Sequence, residues 1–347
     1  MTFSILMPVY KAEKYLKESV DSILNQDWDD YELILAEDGS PDASGELCDR
    51  LAQSHPQRIR VLHLPHQGTI MTRRRAIEAA RGDYILWLDS DDLMVPGTLA
   101  VLEKLLKTHQ YPDIILYEYT AFFEDGRPDD KRPPLFADLS LFEGEDAKRP
   151  LYELYIRGNA LSSLCTKAVR RELFQSDSGD YSLYTANPYD EDALHGLFPL
   201  THARRILYTG ASYCRYRIRK DSVMHEFDAA RLDQRFNTGK LRFFAPYLTA
   251  WGLDDSTHRM LLKSNAYRSV LDGILFFMLE EGYDQKQVRA YGQGFVDKHP
   301  EIRRFSRLKA LPLKQRIIFA LFAGKHFRTL KTAVKLQNRL KSLKAGK

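Results

Sequence analysis

Three carboxylates fall within four residues of the sequence, at Asp89, Asp91 and Asp92. They directly follow the apolar run Ile85–Leu88, whose composition is typical of a buried strand. Carboxylates this close repel one another, and a hard divalent cation such as Mg²⁺ or Mn²⁺ removes that repulsion. The spacing therefore predicts a metal site that holds a diphosphate. The alternative is an Asp-rich turn in which Asp92 caps the following helix.

The elements that position these carboxylates alternate between β-rich runs and helical patterns. The predicted strands are Phe3–Val9, Tyr31–Ala36, Arg58–Leu64, Tyr84–Leu88 and Asp113–Tyr119, and the predicted helices are Glu13–Asn25, one that begins at Ser40-Pro41, Met71–Ala80 and Pro96–Lys107. This alternation predicts an α/β fold with a mostly parallel sheet covered by helices on both faces. Right-handed crossovers would bring Asp38 and the Asp89–Asp92 cluster to one sheet edge, where ligands of such folds bind.

The later part of the chain changes character twice. Residues 122–150 are polar and contain proline, which predicts a loop or hairpin excursion. Short helices are then predicted at Tyr152–Ile156, Lys167–Phe174 and Glu191–Leu200, and strands at Ile206–Tyr208 and Ser212–Arg217. After about Ser222 the pattern is helical to the end. We therefore expect a first domain over residues 1–222 and a helical extension over residues 223–347.

Charge divides the 347-residue chain unevenly. The net charge is +4, but Ile302–Lys347 contains 14 Lys and Arg and no Asp or Glu, and the other residues carry 37 bases against 47 acids. With 44% hydrophobic and 28% charged residues, the composition excludes a disordered or collagen-like chain. Three scattered cysteines, an N-terminus unlike a signal peptide, and apolar runs far shorter than a membrane span predict a cytoplasmic protein.

Three ordered segments carry a family resemblance: MPVYKAEKYLKESVDSILNQDWDDYELILAEDGSPDAS, GTIMTRRRAIEAARGDYILWLDSDD and YDEDALHGLF. In this order and spacing the sequence resembles the family 2 glycosyltransferases of the GT-A fold. The match is dense over Thr2–Gly97, sparse to about Val223, and then stops. The resemblance implies a Rossmann-like sheet and transfer of a sugar, such as a hexose, from a nucleotide diphosphate to an acceptor hydroxyl.

The resemblance also implies where the donor binds. The residues that would line the nucleoside pocket are Pro8, Val9, Tyr10 and Asp38. Arg73 matches the family arginine near the base and phosphates, with Arg74 and Arg75 as competing bases. The alternatives are an Asx-turn residue for Asp38 and a solvated helix residue for Arg73.

The metal and the catalytic base are implied in the same way. Asp89 matches the first Asp of the family Asp-x-Asp motif, near the ribose and the metal, and Asp91 matches the metal-binding Asp. Asp192 aligns with the family base and Glu191 with its neighbour. The alternative is an acidic first helical turn favoured by the helix dipole.

The sequence departs from the family pattern at Arg219, where many members have a histidine that contributes to the metal. Arginine has no lone pair for a metal at neutral pH. Arg219, with Arg217 or Lys220, could instead pair with the diphosphate directly. Lys167, in a further matching stretch, would face the donor phosphates or lie on the surface.

The implied reaction inverts the anomeric centre, with UDP-sugars as the commonest donors of the family and GDP- or dTDP-sugars as alternatives. The acceptor expected by analogy is a growing bacterial surface polysaccharide or its lipid-linked precursor. Two alternatives are a non-catalytic homologue that binds sugar nucleotides and a sugar-phosphate nucleotidylyltransferase. The latter is disfavoured because Pro8–Ala12 lacks the glycine of a phosphate-binding loop.

The C-terminal tail is basic and amphipathic. Arg328, Lys331, Lys335 and Arg339 fall within an arc of roughly 80° on a helix. The apolar residues that fill much of the opposite arc are Phe327, Leu330, Ala333, Val334, Leu336, Leu340 and Leu343. This pattern predicts a peripheral contact with the inner face of the cell membrane. A helix packed on the body is the alternative, and no nucleic-acid partner is expected because no RNA-binding module accompanies the tail.

Overall fold

The computed structural model describes residues 2–131, 133–158, 161–185, 190–219, 227–236, 240–279 and 283–334. The chain folds into two units, Met1–Lys220 and Asp221–Lys347. This division lies two residues before the boundary expected from the sequence. The roles assigned to the two parts stay predictions.

Alternating strands and helices build the first half of unit one. The strands are β1 (Phe3–Val9), β2 (Tyr31–Glu37), β3 (Ile59–His63), β4 (Tyr84–Trp87) and β5 (Leu93–Met94), and the helices are α1 (Leu16–Leu24), α2 (Ser44–Ser54), α3 (Thr69–Ala79) and α4 (Thr98–Thr108). The strands β3, β2, β1 and β4 lie side by side in that order and run parallel. β2 and β4 are buried along their whole length, as strands covered on both faces must be. The α/β fold predicted from the sequence is confirmed.

The second half of unit one widens the same sheet. Its elements are β6 (Ile114–Phe123), β7 (Asp130–Lys131), β8 (Ser140–Glu143), α5 (Glu145–Arg157), β9 (Lys167–Arg170), α6 (Arg171–Gln175), α7 (Glu191–His202) and β10 (Arg205–Ile218). The order continues β4-β9-β6-β10-β5. β9 runs antiparallel to both neighbours, so the described sheet is parallel on one side and mixed on the other.

Two local predictions are wrong in this half. Lys167–Phe174 was expected to be one helix, but its first four residues form β9, because Ala168 pairs with Leu86 on one side and Ile115 on the other. Strand pairing on both sides outweighs a short helical pattern. The two strands expected over residues 206–217 are one 14-residue strand, β10, with irregular pairing to β6 after Tyr208.

The start of α2 also differs from the prediction. The sequence places it at Ser40-Pro41, whereas the helix begins at Ser44. The Oγ atom of Ser44 accepts a hydrogen bond from the Ala12 amide at 2.8 Å, and the Glu37 carboxylate accepts one from the Ser40 amide. These contacts hold residues 39–43 as a turn at the sheet edge.

Gly82 packs directly against β1, which yields a prediction about stability. Its amide donates to Ser4 Oγ at 2.8 Å, and a Cβ atom at this position would lie 2.5 Å from the carbonyl carbon of Phe3. Gly82→Ala is expected to lower the free energy of unfolding by about 2 kcal/mol or more, because backbone must move to admit the methyl group. Urea denaturation of the full-length protein, followed by a signal from unit one, measures the change.

The control for this prediction is Gly45→Ala in α2, where the nearest heavy atom to a new Cβ lies at 3.7 Å. That variant should be neutral or more stable, since alanine favours helix over glycine by about 1 kcal/mol. Equal unfolding free energies for the two variants would show that the Gly82 contact is not tight.

Every regular element in the described residues of unit two is a helix, as the sequence predicts. Its helices are α8 (Ala229–Phe236), α9 (Lys240–Ala250), α10 (Ser256–Leu279), α11 (Gln285–Lys298), α12 (Ile302–Phe305) and α13 (Leu313–Ala323), followed by helical residues 327–334. Aromatic rings form its core: Tyr267 lies 4.6 Å from Phe236 and 5.0 Å from Phe305, measured between centroids. No helix in the described part of the chain is both long and apolar enough to cross a membrane.

Candidate active site

A cavity of about 290 Å³ opens at the carboxyl ends of β1, β2 and β4. The residues predicted to bind the donor or the metal that line it are Pro8, Val9, Tyr10, Asp38, Arg73, Asp89, Asp91 and Arg219. Glu191 lines it as well, whereas Asp192 is not among its lining residues. The structure thus brings together side chains from both ends of unit one.

Asp38 shapes one wall of the cavity and is 3% exposed. Its carboxylate accepts hydrogen bonds from the amides of Gln67 and Gly68, at 2.9 and 3.0 Å, at the start of α3. His66 Nδ1 lies 2.9 Å from the same carboxylate, and its ring stacks on Tyr10 at 4.5 Å. Asp38 therefore fixes the loop that carries His66, and Tyr10 remains 41% exposed at the cavity.

Arg73 links the two acidic clusters of the site. The side chain is 2% exposed; Nη2 donates to Asp89 at 3.2 Å, Nη1 donates to Asp192, and Glu191 lies 4.0 Å from Nη1. Burial opposes the charge of Arg73, but these three carboxylates more than offset it and raise the pKa of the guanidinium. The cation contacts carboxylates and is not a solvated surface residue.

The packing of α7 on α3 brings these residues together. His195, fully buried in α7, lies with Nε2 3.2 Å from the Ile70 carbonyl oxygen in α3. Its ring also stacks on Tyr181 at 4.6 Å, and burial holds the pKa of His195 well below its usual range. The nearby Arg73 and Arg74 guanidinium groups also lower the pKa of His195, so the imidazole between the two helices is neutral. Sequence reasoning missed His195 because nothing in its neighbourhood distinguishes it from a surface histidine.

Two carboxyl groups that line the cavity, those of Glu191 and Asp89, have raised pKa values. Burial, reinforced by the neighbouring Asp192 carboxylate, raises the pKa of Glu191. Burial likewise raises the pKa of Asp89, against the opposing effect of Arg73. Perturbed carboxyl groups in one cleft are typical of functional sites.

Asp92 lies beneath the cavity and does not cap a helix. It is 1% exposed, and the next helix, α4, begins only at Thr98. One carboxylate oxygen accepts the Arg217 amide at 2.8 Å; the other is buried without a hydrogen-bond partner among the described residues. Burial raises the pKa of Asp92 well above its usual range. The capping alternative for Asp92 is therefore wrong.

The acidic cluster fits a hard divalent cation. Single ligand atoms of Asp89, Asp92 and Cys165 lie within 4.8 Å of one another, and Asp91 faces the cavity one residue before Asp92. Asp92 also offers the unpartnered buried oxygen already described. The carboxylate oxygens among these ligands suit Mg²⁺ or Mn²⁺, whereas the Cys165 thiol, whose pKa burial raises well above its usual range, is a soft ligand that these cations do not favour.

Arg219 occupies the place opposite Asp91. Its Nη2 lies 3.0 Å from Asp91 Oδ2, and its guanidinium lies 5.1 Å from the centroid of the Tyr15 ring. The departure from histidine at this position thus puts a permanent cation beside the predicted metal ligand. A diphosphate bound next to Asp91 would therefore lie within reach of the Arg219 guanidinium and could pair with it.

Arg217, predicted from the sequence only as a second cation for the diphosphate, holds the loop after β4; Lys220, the other residue predicted for that role, lies outside the described residues. Arg217 is 7% exposed; Nε donates to the Asp91 carbonyl oxygen at 2.7 Å, and the other nitrogens reach Glu18 at 2.6 Å and Glu124 at 3.2 Å. Together with its amide contact to Asp92, it anchors the loop after β4 to the end of β10.

Lys167 neither faces the donor cavity nor lies on the surface, the two positions considered for it from the sequence. It is 2% exposed, its Nζ donates to the Ser163 carbonyl oxygen, and it does not line the cavity. Burial lowers its pKa to about 8.

Comparison with known proteins places the fold and the family. The model of glycosyl transferase family 2 matches residues 4–175. Bacillus subtilis EpsH is 28% identical over 226 residues, which cover 65% of this chain and 63% of EpsH. The B. subtilis minor teichoic acid biosynthesis protein GgaB is 35% identical over 127 residues, which cover 36% of this chain and 14% of GgaB. The chain therefore spans less than two thirds of either relative.

A solved structure supports the same fold. The complex of S. aureus TarS residues 1–349 with UDP-GlcNAc has a TM-score of 0.61 and 20% identity, and covers 97% of this chain and 92% of that one. The architecture is the GT-A fold. The chain belongs to glycosyl transferase family 2, and the resemblance seen in the sequence is confirmed.

Proposed function

We propose that this protein is an inverting glycosyltransferase that moves a sugar from a nucleotide-diphosphate donor, with UDP-sugars as first candidates, to an acceptor hydroxyl. The observation that carries the proposal is one cavity at the sheet edge, lined by Asp38, Asp89, Asp91 and Glu191. The UDP-GlcNAc complex of TarS supports the choice of donor. The acceptor we propose is a surface polysaccharide or its lipid-linked precursor, in keeping with the name of GgaB.

The donor would bind along the edge from β2 to β4. Its base would meet the exposed Tyr10 ring and the Asp38 wall, because an aromatic face and fixed polar groups are what a nucleoside pocket needs. Pro8 and Val9 would contribute mainly backbone. The diphosphate would reach Arg219, whose guanidinium already lies at the cavity.

Asp91 and Asp89 would hold a divalent cation, either Mn²⁺ or Mg²⁺. When bound, such a cation stabilises the negative charge that develops on the nucleoside diphosphate as the glycosidic bond breaks. The chain's own contribution is positional: Arg217 fixes the backbone of Asp91, and Arg73 holds the side chain of Asp89.

The acceptor proton would be taken by the acidic pair at the start of α7. Direct displacement needs a carboxylate on the side opposite the leaving group, and Asp192 with Glu191 is the pair that α7 supplies. Asp192 contacts Arg73, whereas Glu191 faces the cavity. We assign the proton transfer to Asp192, with Glu191 beside it.

We propose different roles for the two units. Unit one would bind the sugar nucleotide and the acceptor. Unit two, with the basic tail from Arg328 to Lys347, would bring the enzyme to the inner face of the cell membrane, where lipid-linked acceptors lie. Of the tail, only Arg328–Val334 lies within the described residues.

Donor binding can be tested by thermal shift with UDP-, GDP- and dTDP-sugars, each with and without Mn²⁺. One nucleotide class is expected to raise Tm by several degrees, and the shift should grow with Mn²⁺, because a ligand that binds only the folded state stabilises it by mass action. When the same measurements are made on the Asp91→Asn variant, the additional rise in Tm caused by Mn²⁺ is expected to disappear. Absence of any shift with all three classes would contradict the proposed donor site.

A further inference from the structure

Helix α13 exposes an apolar stripe that the core of unit two does not use. Leu313 is 68% exposed, the highest value for a large apolar side chain among the described residues, and Ile317 is 50% exposed. The two lie four residues apart, so they are neighbours on one side of the helix. Ala320 continues the stripe and is also exposed.

The opposite side of α13 packs against the core of unit two. Phe319, Phe322 and Ala323 are buried there, at 1%, 0% and 7% exposure, and Phe319 contacts the ring of Phe305 in α12. The helix is therefore apolar on both sides. With 11 residues it is about 16 Å long, too short to cross a bilayer.

Cations border the stripe on both flanks. At 100° per residue, Lys314 and Arg316 fall on opposite sides of the line through Leu313 and Ile317. Further exposed cations precede the helix: Arg303, Arg304, Arg307 and Lys309. No acidic residue occurs between Ile302 and Lys347. An apolar stripe between cations complements an anionic bilayer surface.

The first turns of the tail face inward instead. Phe327 and Leu330, two of the apolar residues predicted to meet the membrane, are 4% and 1% exposed. The ring of Phe327 lies against Phe322, and a Cβ atom on Gly292 would lie 3.0 Å from it. These two side chains belong to the core of unit two.

We infer that α13 is an interfacial membrane helix: Leu313 and Ile317 insert at the acyl boundary of an anionic bilayer, and the surrounding Lys and Arg contact lipid phosphates. The inference deepens the membrane contact of the proposed function and moves its apolar part from the tail to α13. It does not depend on the donor or on the chemistry of the cavity in unit one.

Insertion can be measured with a polarity-sensitive thiol dye. The native cysteines Cys48, Cys165 and Cys214 are all buried, so Ile317→Cys offers a single exposed thiol in the full-length protein. Vesicles containing phosphatidylglycerol are expected to shift the dye emission to the blue; vesicles of phosphatidylcholine alone should not. Val101→Cys, on α4 and 41% exposed, is the matched control and should show no shift.

Cosedimentation with the same vesicles tests the contribution of the stripe to binding. Leu313→Ser with Ile317→Ser is expected to weaken partitioning by about tenfold or more, because two apolar side chains no longer leave water. Val101→Ser should bind like the unchanged protein. Lys309→Glu with Lys314→Glu should weaken binding only to the anionic vesicles.

Three outcomes would overturn the inference. In the first, the Leu313/Ile317 variant binds vesicles like the unchanged protein, while the double variant Lys335→Glu with Arg339→Glu no longer binds. That result would show that the membrane contact lies in the tail and not in α13. Another is a dye at position 317 that stays in water on anionic vesicles. The third is sedimentation showing a dimer that the Leu313/Ile317 variant abolishes, which would assign the stripe to a second copy. In each case nucleotide-sugar binding to unit one still reports separately on the proposed function.

Discussion

Asp192→Asn is expected to lower the rate of sugar transfer by about 10²–10⁴-fold, the usual contribution of a general base, while nucleotide-sugar binding stays the same. The side chain contacts Arg73 and does not line the cavity. The amide keeps the shape of Asp192 but cannot accept a proton. Transfer should be followed with a donor at saturating concentration, and binding by thermal shift.

The neighbouring acids supply the controls for this prediction. Asp190→Asn changes the residue before α7, whose backbone has a positive φ of 65° that asparagine tolerates, and should transfer sugar normally. Glu191→Gln should lower transfer less than Asp192→Asn. If Glu191→Gln shows the larger loss, the proton acceptor is the carboxyl group that faces the cavity, and the assignment to Asp192 is wrong.

Asp91→Asn is expected to lower transfer by about a thousandfold, equivalent to roughly 4 kcal/mol of transition-state stabilisation. The reason is that Asp91 is the carboxylate of the Asp-x-Asp motif that faces the cavity beside Arg219. An amide holds a divalent cation far less well than a carboxylate. The measurement is transfer across a Mn²⁺ titration.

A second Asp–Arg pair provides a matched control. Asp129 lies 3.1 Å from Arg215, compared with 3.0 Å between Asp91 and Arg219, and Asp129 lies outside the cavity. Asp129→Asn should leave transfer unchanged, because partly exposed ion pairs contribute at most about 1 kcal/mol to stability. Asp91→Asn with full Mn²⁺-stimulated transfer would show that the motif does not hold the metal.

Most of the first half of the fold could be predicted from the sequence because its strands β1, β2 and β4 are largely apolar runs. Tyr84–Trp87 is buried along its length and could pack nowhere else than inside a sheet. The later half was harder to predict. Lys167–Arg170 becomes a strand only because β4 and β6 offer it two pairing edges. Its four residues carry no periodic signal strong enough to show this.

The candidate site divides in a similar way. Asp38, Asp89 and Asp91 could be placed together from sequence, because they follow parallel strands whose carboxyl ends share one edge. Arg73 could be assigned to the site only through the family resemblance, because by itself it has the same sequence signal as a surface arginine. In the structure it is buried on α3, 5.4 Å from the Trp87 ring and in contact with Asp89 and Asp192.

The sequence by itself determined the fold class, the family and the sheet edge that carries the acidic cluster, because strand periodicity and strand order are local properties of the chain. Only the tertiary structure decided which cations meet which carboxylates. Arg73 reaches Asp192 across 119 residues and Arg219 reaches Asp91 across a stretch of similar length, and both contacts depend on how α3, α7 and β10 pack. Packing likewise decided that Phe327 turns inward while Leu313 faces solvent, since both are apolar residues in a basic, helical stretch.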